Sequence, residues 1–307
     1  MTKDLTSIND LSRDEILGLL DRARDLKQQL KTRPRVLLAD GAMAALVFEK
    51  PSLRTRVTFE TAIRQLGGSA VYLGPTDIGL GQRETVPDVA RNLSRWVNCI
   101  IARVFEQDKI TTLAENATVP VINALSDDEH PCQILADLQT VLEHRGSLEG
   151  ARIAWVGDGN NVCNSLTLAC GMLGVNLRVA TPKGFEPARR FTDQAREYAS
   201  STNASIETSY DPAAAVKDAE FIYTDTWTSM GQEDEAEQRR KMFARFQVNS
   251  DLVAKAGKEV KVMHCLPAHR GEEITDEVLD GPGSVVLDQA ENRLHAQRAL
   301  LAVLLAK

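Results

Sequence analysis

Short apolar runs alternate with amphipathic stretches through the first half of the chain. Segment 12–30 carries apolar residues at helical spacing, and Ser12 with Glu15 forms a predicted capping box at its start. A helix is predicted after the first strand, with Phe59, Ala62, Ile63 and Leu66 at helical spacing and an end at Gly67-Gly68. Further helices are predicted over 86–97, 109–115 and 131–144. Strands are predicted where the apolar runs are short, at AALVFE (44–49), SAVYL (69–73), CIIARV (99–104) and VPVINAL (119–125).

The alternation restarts after the turn-rich segment HRGSLEG (144–150). Helices are predicted over 162–173, after Pro187 and over 289–305. The predicted strands are ARIAWVG (151–157), VNLRVA (175–180), EFIYTD (220–225), KVMHCL (261–266) and SVVLD (284–288). Strands that alternate with helices indicate parallel sheets. The chain is therefore predicted to be an α/β protein of two similar-sized domains, each a parallel sheet flanked by helices. The expected domains are 1–145, with the C-terminal helix 289–307 packed back on it, and 150–288.

Composition narrows the class of protein. The 307 residues are 43% hydrophobic and 26% charged, and their net charge of −7 argues against general binding to nucleic acid or an anionic membrane. The longest apolar run, 299–306, is too short to span a bilayer, and the N-terminus lacks a signal-peptide pattern. The five cysteines are scattered and form no C-x-x-C pair. We interpret them as free thiols of a cytoplasmic protein and predict no metal site.

Polar or charged residues follow six of the predicted strands. Parallel sheets bind ligands beyond the carboxyl ends of their strands, so these segments are expected to form the functional site. They are KPSLRTR (50–56), Arg103, HPCQ (130–133), DGNN (158–161), DTWTSMG (225–231) and CLPAHR (265–270).

The segment SLRTR (52–56) has the composition of an anion site. Backbone N–H groups at a helix start favour a phosphate, the hydroxyls of Ser52 and Thr55 add donors, and Arg54 supplies a planar fork. The alternative is a simple N-cap followed by solvent-exposed arginines.

Arg103, His130 and Gln133 are candidates in the first half. Arg103 ends a strongly apolar strand, so it needs an anionic partner, either a ligand or an acidic neighbour. His130 and Gln133 can each donate and accept hydrogen bonds, although a lone histidine before a helix is more often structural.

The second half contains a glycine pattern that is similar to a dinucleotide fingerprint but fails it. In GDGNN (157–161) the third glycine position falls on Val162, and no acidic ribose ligand follows. Asn161 is interpreted as a polar group for a carboxylate, or as an N-cap. Asp225 and Ser229, near Met230, suit an ammonium group. Cys265 is either a buried structural thiol or part of the site.

Together these segments resemble the aspartate/ornithine carbamoyltransferase family. The motifs are SLRTR (52–56), HPCQILAD (130–137), DTWTSMG (225–231) and HCLPAHRGEE (264–273), in the family's order and spacing. The last two resemble the ornithine branch, because the aspartate branch typically ends the series with H-P-L-P-R. The resemblance implies transfer of the carbamoyl group of carbamoyl phosphate to the δ-amine of L-ornithine, giving L-citrulline and phosphate. It also implies an active site in the interdomain cleft, no cofactor, and a homotrimer or a multiple of trimers.

The resemblance also implies roles for individual residues. Carbamoyl phosphate is expected to bind to the SLRTR and HPCQ motifs, to Arg103 and to C-terminal residues, and the matched positions are Ser52, Leu53, Arg54, Thr55, Arg103, His130, Gln133, Cys265, Leu266 and Arg293. Ornithine is expected at Asn161, Asp225, Ser229 and Met230. Arg103, His130 and Cys265 are the expected catalytic residues.

Two positions depart from the family pattern, and three rival functions stay open. Leu53 replaces a common threonine, and Gly79 stands in a loop (77–84) that in relatives can reach a neighbouring subunit. The closest rival is a carbamoyltransferase for putrescine or an N-acylated ornithine. The others are a non-catalytic homologue, disfavoured because all the transition-state groups are present, and a nucleotide-binding oxidoreductase, disfavoured by the broken glycine pattern.

Overall fold

The structure is a computed structural model that describes residues 3–32, 36–228, 231, 233–257 and 259–306. The chain forms two compact units. Unit 1 comprises Met1–Gln139 and Glu291–Lys307, and unit 2 comprises Thr140–Ala290. Among the described residues, none of the helices combines the length and apolarity that crossing a bilayer requires.

Unit 1 is built on a parallel sheet whose described strands lie in the order β2-β1-β3-β4. Its elements are α1 (Arg13–Leu30), β1 (Met43–Phe48), α2 (Leu53–Gln65), β2 (Ser69–Leu73), α3 (Pro75–Ile78), α4 (Val86–Trp96), β3 (Cys99–Arg103), α5 (Gln107–Asn116), β4 (Val121–Leu125) and α6 (Pro131–Arg145). The predicted capping box of Ser12 and Glu15 is present at the start of α1. The last residues of α6 belong to unit 2.

A continuous apolar core covers one face of this sheet. Val47 of β1 and Ile100 of β3 are fully buried and pack in one cluster with Val89 of α4 and Leu113 of α5. β1 is buried at all but its first residue, and β3 is buried along its whole length. Strands buried on both faces carry near-continuous apolar runs, so both strands were recognisable from the sequence.

Unit 2 contains a second parallel sheet, in the order β7-β6-β5-β8-β9 over its described residues. Its elements are β5 (Arg152–Val156), α7 (Asn161–Leu173), β6 (Asn176–Ala180), α8 (Arg189–Thr202), β7 (Ile206–Ser209), α9 (Pro212–Val216), β8 (Phe221–Thr224), α10 (Ala236–Phe243), α11 (Ser250–Ala256), β9 (Lys261–His264), α12 (Asp276–Leu279) and α13 (Val286–Leu304). The last part of α13, from Glu291, belongs to unit 1.

The structure differs from the sequence prediction at two strands. The predicted strand at 284–288 is wrong: Ser284 makes a single bridge to Val262, and α13 already begins at Val286. The edge strand β7 was not predicted, because its side chains alternate too weakly between buried and exposed to give a strand pattern.

Both sheets reverse their strand order at one place. In unit 1 this switch point lies between β1 and β3, and in unit 2 between β5 and β8. Open parallel sheets bind ligands outside the carboxyl ends of the strands at such a point. The segments that follow these four strands are 49–55, 104–106, 157–161 and 225–228, and Arg103 is the last residue of β3. Each unit thus presents its predicted site residues where its own topology places ligands.

Candidate active site

The anion-binding residues of unit 1 begin at the start of α2. Ser52 is the N-cap, and its Oγ accepts the Thr55 N–H at 3.2 Å. Leu53 is largely exposed, Arg54 is half-buried and Thr55 is fully buried. The predicted N-cap is therefore present, and it leaves the N–H groups of the first turn directed toward any anion at this helix end.

Arg103 lies beside this helix start. It is the last residue of β3, in register with Phe48 of β1, and its carbonyl accepts the Glu49 N–H at 2.8 Å. The ladder between β3 and β4 shifts register between Ala102 and Arg103. Such an irregularity re-aims a side chain at the end of a strand. Arg103 is 7% exposed, so its charge is held in a largely dry environment.

Arg293 of α13 joins the first-half motifs, although it lies far from them in sequence. One guanidinium nitrogen donates to Gln133 Oε1 and another to Thr55 Oγ1, each at 2.8 Å. Gln133 also donates from Nε2 to Asp137 Oδ1 at 2.8 Å, which fixes the orientation of its amide. Arg293, Gln133 and Thr55 are all buried.

His130 is surrounded by positive charge. Burial lowers the pKa of its imidazole well below the usual value, and the charges of Arg293, Arg103 and Arg54 lower that pKa further. The ring is therefore neutral at physiological pH and offers one N–H donor and one acceptor. Three guanidinium groups close enough to act on one histidine define a strongly electropositive site, which needs an anion to be favourable.

Two lysines that form ion pairs in the loops of this unit were not recognised from the sequence. Lys50 is buried, contacts Asp127 Oδ1 at 2.5 Å and lies 4.1 Å from the ring centroid of Phe105. Lys109 donates to Glu49 at 2.8 Å. Lys50 was the available signal, because it directly follows the apolar segment AALVFE, and a lysine is buried only when it is paired.

In unit 2, Asp225 is the centre of the predicted site residues. Its Oδ1 accepts the Cys265 thiol at 2.9 Å and the Thr226 N–H at 2.8 Å. Its Oδ2 accepts Asn160 Nδ2 at 2.7 Å. The carboxylate is thus oriented by three donors and is 7% exposed.

At the start of α7, the N-cap is Asn160 and not Asn161. Asn160 is the N-cap and accepts the N–H groups of Val162 and Cys163. Asn161, for which a cap was the alternative interpretation, is the first residue of the helix. Ser229 and Met230 lie outside the described residues.

A buried pair not recognised from the sequence supports Cys265 and Leu266. His264 Nδ1 accepts the Leu266 N–H, and its Nε2 contacts Glu273 Oε1, both at 2.9 Å. Because Nδ1 is an acceptor, Nε2 carries the proton and donates to Glu273. Leu266 has a φ of 58°, a strained conformation for a non-glycine residue that this hydrogen bond helps to hold.

Two clusters of possible metal-ligand atoms occur among the described residues. Asp225, His264 and Cys265 place ligand atoms within 4.8 Å of one another, as do His269, Glu272 and Glu273. Both ring nitrogens of His264 are already engaged, and Cys265 and Asp225 share a hydrogen bond. The donor atoms of the first cluster are therefore already engaged in hydrogen bonds within the protein.

The sequence matches a known family over both units. The carbamoyl-P binding domain of the aspartate/ornithine carbamoyltransferase family matches residues 3–143, and the family's Asp/Orn binding domain matches residues 149–304.

Curated relatives and solved structures agree with the family match. An ornithine carbamoyltransferase of Pyrococcus horikoshii is 51% identical over 303 residues, covering 99% of this chain and 96% of the relative. One of Methanosarcina acetivorans is 50% identical over 305 residues, with 99% and 100% covered. The crystallised ornithine carbamoyltransferase of Pyrococcus furiosus has a TM-score of 0.95 at 52% identity, with 97% of this chain and 96% of that chain covered.

Proposed function

The chain belongs to the aspartate/ornithine carbamoyltransferase family, and on this basis we propose that it transfers the carbamoyl group of carbamoyl phosphate to the δ-amine of L-ornithine, giving L-citrulline and phosphate. The observation that carries the proposal is the action of three arginines on one neutral, buried histidine in unit 1. That field suits a phosphate dianion and a developing oxyanion.

Carbamoyl phosphate binds to unit 1 in this proposal. The N–H groups at the start of α2 and the side chains of Ser52, Arg54 and Thr55 hold the phosphate, with the backbone N–H of Leu53 replacing the common threonine. Arg103 bridges the phosphate and the carbonyl oxygen. Its planar fork matches two oxygens at once, which a lysine cannot reproduce.

The carbamoyl end of carbamoyl phosphate is bound by residues of the HPCQ motif. His130 donates from its neutral ring to the carbonyl oxygen, and Gln133 binds the carbamoyl nitrogen. Arg293 orients Gln133 and Thr55, as their hydrogen bonds indicate, and adds positive charge near the phosphate. Cys265 and Leu266 complete the substrate contacts as the family pattern implies.

Ornithine binds to unit 2. Asn161 takes the carboxylate, and Asp225 takes the α-ammonium group together with Ser229 and Met230. The support from geometry is that Asp225 is buried and held by Asn160, Thr226 and Cys265. A buried carboxylate favours a cationic ligand, because its charge is otherwise poorly solvated.

The reaction joins nitrogen to carbon and breaks a carbon–oxygen bond. The δ-amine attacks the carbonyl carbon, and negative charge develops on the carbonyl oxygen. Phosphate then leaves with the bonding electron pair and accepts the proton that the attacking nitrogen loses. Free ornithine's δ-ammonium resembles lysine, with a pKa of roughly 10.4, so the site must favour its neutral form. We assign this task to Cys265 and Asp225, and the stabilisation of the oxyanion to Arg103 and His130.

We further propose a homotrimer, or a multiple of trimers, that works in the cytoplasm without a cofactor. All five cysteines are free and buried, which suits a reducing compartment. The segment 77–84, which is exposed at residues 81–84, is proposed to approach a neighbouring subunit. One curated relative, from Pyrococcus furiosus, is named as the anabolic enzyme, and we propose a role in arginine biosynthesis here.

A substrate comparison tests the proposal. We expect kcat/KM for ornithine to exceed that for putrescine and for N-acetylornithine by several orders of magnitude. N-acetylornithine lacks the α-ammonium group and leaves Asp225 without its cationic partner, and putrescine lacks the carboxylate that Asn161 is proposed to bind. A preference for putrescine or N-acetylornithine would identify a different acceptor within the family. Absence of citrulline formation from carbamoyl phosphate and ornithine would refute the proposed reaction.

A further inference from the structure

Arg239 is a buried arginine outside the predicted site. It lies on α10 and is 5% exposed. Its Nε donates to the Trp227 carbonyl at 2.5 Å, and one terminal nitrogen forms an ion pair with Asp158. Its neighbour Arg240 is exposed and pairs with Glu272 at the surface, at 3.0 Å.

The two partners of Arg239 belong to the two segments that carry the proposed ornithine ligands. Asp158 lies three residues before Asn161, and Trp227 lies two residues after Asp225. The same segments are joined directly by the hydrogen bond from Asn160 to Asp225. Arg239 therefore links the loop after β5 to the loop after β8, the two strands that flank the switch point of this sheet.

Aromatic rings hold the guanidinium in place. Its carbon lies 4.8 Å from the ring centroid of Phe185 and 5.3 Å from that of Phe243. The two rings also contact each other, at 4.8 Å between centroids. A delocalised, weakly hydrated guanidinium suits this stacked and desolvated position better than an ammonium does.

The Asp158 loop is fixed on its other sides as well. Trp155 Nε1 donates to the Asp158 carbonyl at 2.9 Å. The Gly159 N–H donates to the Phe185 carbonyl at 2.8 Å, and a Cβ at Gly159 would lie only 2.2 Å from the Pro187 nitrogen. The loop thus has little room to move away from Arg239.

From these contacts we propose that Arg239 is a positioning residue for ornithine binding, which it serves by holding the segments of Asp158 and Trp227 at a fixed separation. The inference rests on the proposed function, because it assigns the ornithine ligands to these segments. Arg239 itself does not contact substrate in this proposal.

The charge balance of the pair supports the assignment. Burial raises the pKa of Asp158 to about 7, the nearby Asp225 raises it too, and the attraction of Arg239 opposes both effects. Among the described residues, Glu235 also faces this guanidinium, at 3.5 Å. Loss of Arg239 would leave Asp158 with a still higher pKa, and its carboxyl would become neutral at physiological pH.

The test measures two Michaelis constants in Arg239→Gln, with Arg240→Gln as the matched surface control. We expect Arg239→Gln to raise the KM for ornithine by about 10- to 100-fold, since it removes charge-assisted hydrogen bonds at both segments. The KM for carbamoyl phosphate should stay within about twofold, and Arg240→Gln should change neither constant. Unfolding of part of the protein would instead lower kcat and leave both constants unchanged.

Conservative variants keep the test decisive if Arg239→Gln folds poorly. Arg239→Lys keeps the charge but cannot contact Asp158 and Trp227 through one rigid fork, so we expect a smaller rise in the ornithine KM. Asp158→Asn should raise this constant as well. The double variant Arg239→Gln/Asp158→Asn should be less impaired than the product of the single effects. Asp158→Asn alone leaves the buried Arg239 without its nearest carboxylate, and the double variant removes that charge.

The pH dependence of the free energy of unfolding separates loss of the Arg239 charge from loss of its side-chain volume. Because the pKa of Asp158 stays raised in folded Arg239→Gln, its protonated carboxyl should stabilise the fold at low pH. This stability should be lost progressively as pH rises from the unfolded value of about 3.9 through the raised folded value. The double variant should lack that pH dependence.

An unchanged ornithine KM in folded Arg239→Gln or Arg239→Lys, or an equal rise in both Michaelis constants, would overturn the inference. Absence of citrulline formation by the unaltered protein would instead refute the proposed function.

Discussion

The Cys265 thiol donates a hydrogen bond of 2.9 Å to the Asp225 carboxylate, from a residue 40 positions away in sequence. The two side chains follow neighbouring parallel strands, since β8 and β9 are paired with Thr224 opposite His264. A thiol and a carboxylate are therefore held together where ornithine is proposed to bind. This contact is the basis for assigning both residues to the orientation and deprotonation of the amine.

Replacement of Cys265 tests that assignment. In Cys265→Ala the carboxylate loses one of its donors, so we expect kcat to fall on the order of 10²-fold and the pH–rate profile to move. Cys265→Ser keeps a donor and should be less impaired. The measurement is kcat against pH for all three proteins, with carbamoyl phosphate saturating. A Cys265→Ala profile that matched the unaltered protein in position and height would contradict the assignment.

Arg103→Lys separates charge from geometry in the carbamoyl phosphate site. The lysine keeps the positive charge but cannot bridge two oxygens, so we expect kcat/KM for carbamoyl phosphate to fall by about 10²–10³-fold. The control is Arg91→Lys, at a surface arginine that pairs with Asp88. Steady-state kinetics of both variants supply the comparison. Near-normal turnover by Arg103→Lys would exclude the bridging role.

Arg293→Gln addresses the link between α13 and the two motifs of the first half. Thr55 and Gln133 would each lose a charge-assisted hydrogen bond, so we expect the KM for carbamoyl phosphate to rise by about tenfold or more, with little effect on that for ornithine. Arg24→Gln removes an arginine whose pair with Asp21 is exposed, and it should leave both constants unchanged. A selective rise in the ornithine constant would be inconsistent with the assigned role.

His130 should make the fold sensitive to acid. Its pKa is lowered in the folded protein, so its contribution to stability is present above the unfolded value of about 6.5 and is lost as pH falls. We expect the free energy of unfolding to drop by about 1 kcal/mol more in the unaltered protein than in His130→Gln between pH 7.5 and 5.5. Urea unfolding at both pH values measures this difference. Between pH 7.5 and 8.5 the free energies of unfolding of the two proteins should change by the same amount. An equal loss of stability in the unaltered protein and in His130→Gln between pH 7.5 and 5.5 would show that His130 is not buried in its neutral form.

Gly159→Ala tests why the GDGNN segment contains its second glycine. A Cβ there would meet backbone atoms of 185–187 at 2.2 to 2.6 Å, so we expect destabilisation of about 1–3 kcal/mol and weaker ornithine binding. Gly18→Ala is the matched control: no atom lies within 4 Å of its Cβ, and it should stabilise α1 by about 0.5–1 kcal/mol. Thermal unfolding and the ornithine KM are the measurements. Equal stability of the two variants would exclude the packing explanation.

The sequence by itself determined the alternation of strands and helices and the segments that hold the site. Apolar runs buried on both faces of a sheet and helical stripes buried on one face leave periodic patterns that need no long-range information. The patterns of β1, β3, β5 and α1 are of this kind. The motif SLRTR likewise carries its own helix start, because Ser52 bonds within the same turn.

Only the tertiary structure decided which of two similar neighbours takes a particular role. Asn160 and Asn161 are chemically identical, yet the backbone makes Asn160 the cap. Arg239 and Arg240 are adjacent, yet one is buried against Asp158 and the other is exposed. At 284–288, local apolarity fits a strand or a buried helix equally well, and pairing with Val262 ends after one bridge. Contacts between residues far apart in sequence settle these cases, because burial and pairing depend on the neighbours that the fold supplies.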